Sequence, residues 1–104
     1  MPNIQRGEIA AMLDGEERVL CLTLGALAEL EARLMAGDLV GLAERFASGR
    51  VSARDLTAIL GAGLRGGGNA ITDDDLARMS VEGGLKGAAD IAARLLRATF
   101  GGEA

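Results

Sequence analysis

The spacing of apolar residues changes at Thr23, which divides the chain into a strand-like head and a helical remainder. Residues 7–22 read GEIAAMLDGEERVLCL, two short apolar-leaning runs separated by Asp14-Gly15. An Asp-Gly pair supplies the positive φ angles of a tight hairpin turn, so strands are predicted at about 8–13 and 17–22. Side chains alternate along a strand. Ile9, Ala11 and Leu13 therefore share one face, while Arg18, Leu20 and Leu22 alternate with Glu17, Val19 and Cys21. A lone two-stranded ribbon is marginal in water, so the hairpin needs helices across one face or a partner strand along an edge.

Beyond Thr23 the apolar positions recur every three to four residues. Thr23 caps a predicted helix running to about Met35, with Leu24, Leu27, Leu30 and Leu34 as its stripe and Gly37 as its stop. Asp38 then caps a short helix carrying Leu39, Leu42, Ala43 and Phe46, ended by Ser48-Gly49. Ser52 and Asp55 form a capping-box-like start for a helix with Leu56, Ile59, Leu60 and Leu64 facing the core, broken by Gly66-Gly67-Gly68. Thr72 with Asp75 repeats that signature before Leu76 and Met79. After Gly83-Gly84 a final helix lines Leu85, Ala88, Ala92, Leu95, Leu96 and Thr99 along one side, and Gly101-Gly102 closes it. The sum is an α+β, mainly helical fold: an N-terminal β-hairpin followed by about five short helices. We expect a single domain over 1–104, with 1–5 and 101–104 frayed.

Composition narrows what such a fold can do. Hydrophobic residues make up 49% of the 104 but aromatics only 2%, Phe46 and Phe100, so the core is aliphatic. Net charge is −4 and the 11 Lys and Arg are scattered, which removes the electrostatic footprint of a nucleic-acid binder. Without Trp or Tyr there is no stacking platform for single strands either. Cys21 is the only cysteine and histidine is absent, which excludes an internal disulfide and argues against a zinc site. A reducing cytoplasm is the expected location: the N-terminus lacks a signal-like apolar stretch, and no run approaches the roughly 18 apolar residues of a membrane span.

Three motifs suggest chemistry. Gly61-Ala62-Gly63-Leu64-Arg65-Gly66 matches G-x-G-x-x-G, but here it closes a helix instead of joining a strand to one, so we read it as close helix packing plus a C-terminal stop. Asp73-Asp74-Asp75 opens a helix, where the dipole favours acids, and lacks the spaced oxygens of a calcium loop. Glu16 with Glu17, and Glu29 with Glu31, read as solvated surface, and Cys21 as an inert thiol in a strand. We therefore expect no catalytic, cofactor-binding or metal-binding residues, and no enzyme. Two surfaces suit a protein partner. One is the small-residue faces of Ala26, Ala28, Ala32 and Ala36 and of Gly87, Ala88, Ala89, Ala92 and Ala93; the other is the hairpin edge.

Several segments together resemble one family. Arg6-Gly7-Glu8, the Leu13-Asp14-Gly15-Glu16 turn, LCLTLGALAELEARL at 20–34, LAERFASGRVSARDLTAILGAGLRGGG at 42–68 and VEGGLKGAADIAARLLRATF at 81–100 are similar to the small tail proteins of phage-like gene transfer agents. Members are described both as tail tube proteins and as tail assembly chaperones. The resemblance implies a non-enzymatic role in tail morphogenesis, with the tape measure protein and the tube protein as partners and self-association open. Tube subunits normally build rings through a substantial β-sheet. One hairpin is little for that, so the expectation is a chaperone, ahead of a tube or connector subunit retained in the particle or a generic helical adaptor.

Overall fold

The computed structural model describes residues 7–34, 48 and 52–101. Strands β1 (Glu8–Leu13) and β2 (Glu16–Cys21) pair antiparallel, with Ile9 opposite Leu20, Ala11 opposite Arg18 and Leu13 opposite Glu16. Asp14 and Gly15 both have positive φ, 56° and 81°, the conformation whose twist matches paired strands. The second strand starts and ends one residue earlier than the pattern predicts. Ile9, Ala11, Leu13, Leu20 and Leu22 are buried on the inner side, as alternation requires.

Four α-helices follow among the described residues: α1 (Leu24–Leu34), α2 (Ala53–Gly66), α3 (Asp73–Ala77) and α4 (Gly84–Leu96), the last running into a π-helical turn at Arg97–Gly101. The helix predicted from Asp38 to Phe46 lies outside the described residues. Caps fall where the sequence places them. Thr23 Oγ1 accepts from the Ala26 N–H at 3.1 Å, and Ser52 Oγ accepts from the Asp55 N–H at 3.1 Å. Thr72 and Asp75 form the full reciprocal box, with bonds of 3.0 and 3.1 Å.

Helix α2 is the centre of the molecule and packs against β2, α1, α3 and α4. That is why Ala58, Gly61, Ala62 and Gly63 are buried along with the expected Leu56, Ile59, Leu60 and Leu64. Among the described residues the largest fully enclosed side chains are Leu13, Leu20, Leu30, Ile59, Leu64, Leu95 and Leu96. Burying one such side chain is worth about 1.5–3 kcal/mol relative to leaving it in water.

Two expected core residues are not in the core. Leu24 is 86% exposed, because the buried line of α1 runs through Ala26 and Leu30 and Leu24 sits about 140° around the helix from it. Leu85 is 59% exposed. It falls on the right side of α4 but in the first turn, ahead of Ala88, the first residue of that helix to be buried. Ile91, absent from the predicted stripe, is buried in its stead.

Candidate functional site

The G-x-G-x-x-G glycines each admit a different neighbour. A Cβ on Gly61 would strike Asp73 Oδ1, one on Gly63 would strike Leu95 Cδ2, and one on Gly66 would strike the Cys21 carbonyl. The space that a phosphate would need is filled by protein, and α2 ends at Gly66. The packing-and-stop reading of the motif holds.

Gly66 and the glycine after it lie along the outer edge of β2. Gly67 lies against the Val19 carbonyl so tightly that a Cβ would overlap it. Asn69 then adds to these contacts. Its Nδ2 donates to Val19 O at 2.8 Å and to Leu64 O at 3.0 Å, while its Oδ1 accepts from Arg18 Nη1 at 3.2 Å. Arg18 also donates to Glu16 Oε1 at 2.8 Å, although its buried Nε has no partner among the described residues. The edge of β1 is covered differently. Arg94 Nη2 donates to Ala10 O at 2.9 Å, the Asp14 N–H donates to Ser80 O at 2.7 Å, and Leu13 forms an isolated antiparallel bridge with Val81. Among the described residues each edge is thus met in part by side chains and loop backbone, which narrows the room for the strand addition that the hairpin pattern suggests. Asn69 and Arg94 were not singled out from sequence. An Asn directly after a glycine run is a turn signal, and that signal could have found Asn69.

The acidic residues divide by role. Asp73 and Glu29 both accept from Arg65, the former at 3.1 Å, and Arg65 Nη1 also donates to Ile71 O at 3.0 Å, so this half-buried cluster ties α1 and the start of α3 to the end of α2. Burial pulls the Arg65 guanidinium down, but hydrogen bonds to Glu29 and Asp73 outweigh it and leave its pKa above the ordinary value. The Thr72 N–H, and then the Thr72 hydroxyl, hold the Asp75 carboxyl below the ordinary aspartate value. Glu31 and Asp74 face solvent. No group of three or more His, Cys, Asp or Glu able to hold a metal ion occurs among the described residues, and the Cys21 side chain is half-buried.

Of the small-residue faces, Ala28 and Ala32 are exposed on α1, Ala26 is buried, and Ala36 lies outside the described residues. On α4, Ala88 and Ala92 are consumed by the core. A solvent-open groove of about 300 Å³ lies between β1 and α4, with Ala10, Ala11, Met12, Gly87 and Ile91 along it and Glu17, Glu82, Asp90 and Arg94 around it. Met12 is 48% exposed there.

A two-stranded hairpin packed on aliphatic helices defines a small, mainly helical α+β protein. No helix among the described residues is long and apolar enough to cross a membrane. The chain belongs to the family of the phage tail tube protein, GTA-gp10, which matches it over residues 6–102. The resemblance to gene transfer agent tail proteins therefore holds at the level of the family. No curated protein and no solved structure matches the chain.

Proposed function

We propose that this protein is a non-enzymatic component of a phage-like tail, a tube or connector subunit that stays in the particle and works only through contacts with other tail proteins. Membership of the tail tube family across residues 6–102 carries this reading. The fate of the chemical-looking motifs supports it: the glycine motif is spent on packing, and Asp73 and Asp75 are spent on Arg65 and on a helix cap. Assembly in the cytoplasm fits a chain whose single cysteine rules out an internal disulfide.

One observation favours a second reading, a tail assembly chaperone that binds the tape measure and tube proteins and then leaves. The described residues hold a single two-stranded sheet whose edges are met by Asn69, Arg94 and Val81, which is little with which to join a ring through strands. Co-purification with the tube and tape measure proteins of the same gene cluster, beside a mass-spectrometric inventory of finished particles, separates the two. Stoichiometric presence in particles supports the subunit. Binding to the tape measure protein with absence from particles overturns it in favour of the chaperone.

A further inference from the structure

We propose that the groove between β1 and α4 is the docking site for a basic segment of another tail protein, one that places an apolar side chain against Met12 and its cations against Glu17, Glu82 and Asp90. The assignment rests on the tail-protein reading above. Its first support is unspent charge. Glu17, Glu82 and Asp90 line the groove, and among the described residues none of the three has a hydrogen bond or ion pair, whereas Glu16, Glu29, Asp73 and Asp75 are all engaged. Among the described residues that line the groove the one cation is Arg94, which donates to the Ala10 carbonyl at 2.9 Å, so three carboxylates share the groove with a single committed guanidinium, and Lys86 stands one helical turn before Asp90 and four residues after Glu82.

The second support is the floor. Ala10, Gly87 and Ile91 line the groove beside its charged residues, and Met12, 48% exposed, is a flexible and polarisable side chain that adapts to an incoming group. Arg94 and Val81 occupy the β1 edge, so the segment binds by side chains and not as an added strand. A second copy of this chain is a poor occupant: groove on groove would set the carboxylates of both rims together, and the chain carries a net charge of −4. A partner with clustered Lys or Arg meets the rim with opposite sign, which steers encounter and fixes register.

The experiment measures binding of the purified tube protein and tape measure protein of the same gene cluster to four forms of the full chain. These are the wild type, Glu82→Lys with Asp90→Lys, the neutral pair Glu82→Gln with Asp90→Asn, and Glu31→Lys on α1 as a control. All three sites are exposed and unpaired, and matched circular dichroism and melting curves establish that the variants fold. The expected result is wild-type binding that weakens with salt, at least about tenfold weaker binding for the Lys pair, a smaller loss for the neutral pair and no change for Glu31→Lys. Wild-type binding that survives both pairs intact overturns the groove and leaves the tail-protein role standing. No binding of either tail protein by the wild type overturns both.

Discussion

Helices α2 and α4 read alike, both short and rich in Leu, Ala and Gly, yet they end in opposite environments. In α2 the small residues are filled from outside: Asp73, Leu95 and the Cys21 carbonyl occupy the places where side chains of Gly61, Gly63 and Gly66 would stand. In α4 only one side is filled, by Ala88, Ile91, Ala92, Leu95 and Leu96. The opposite side carries Asp90 and Arg94 to the wall of an open groove. A small residue marks where something can approach closely. Whether the approaching group belongs to the same chain or to a partner depends on where the helix sits in the fold.

The largest test of this contrast is Leu64→Ala in α2, which empties a fully enclosed site and should cost about 2–5 kcal/mol in urea unfolding. Next comes Gly67→Ala. The new methyl meets a backbone carbonyl that cannot rotate away, and a loss of about 1–3 kcal/mol is expected, with peeling of the turn from β2 visible as faster exchange at Asn69. Thr72→Ala removes half of the capping box and should cost about 1 kcal/mol by the same assay.

A pH titration sharpens the last of these. The folded state lowers the Asp75 pKa below its ordinary value of 3.8, so its contribution is present above that value and lost as pH falls through the lowered one. The stability gap between wild type and Asp75→Asn should thus be open at neutral pH and close below it, measured by melting at each pH. Smallest of all is Leu85→Ala on α4, expected within about 0.5 kcal/mol of wild type because the side chain is largely exposed. A loss as large as that of Leu64→Ala would erase the distinction between the two helices.

What could be read from the chain was local. Asp14-Gly15, Thr23, Ser52 and the Thr72–Asp75 box announced turns and helix starts because their side chains or φ preferences act within a few residues. Periodicity identified the core side of α2 and most of α4, but it could not say that α2 is enclosed all round from Ala58 to Leu64, since that depends on four elements meeting it. Leu24 and Leu85 fit an apolar template and still face solvent, because one sits off the buried line and the other ahead of it. The edge contacts and the Arg65 cluster were invisible for the same reason: Arg18, Asn69 and Val19, or Glu29, Arg65 and Asp73, are brought together only by the tertiary fold. The groove likewise joins β1 to a helix far along the chain.

Amide hydrogen exchange of the full chain, alone and with whichever tail protein binds it, tests most directly the claim that α2 is closed and the β1–α4 side open. The account predicts that Leu56–Leu64 exchange slowest in both samples and that added protection appears at Ala10, Met12 and Glu82–Arg94. Protection gained on Ala28 and Ala32 of α1 with the groove unchanged, or rapid exchange along α2, would contradict it.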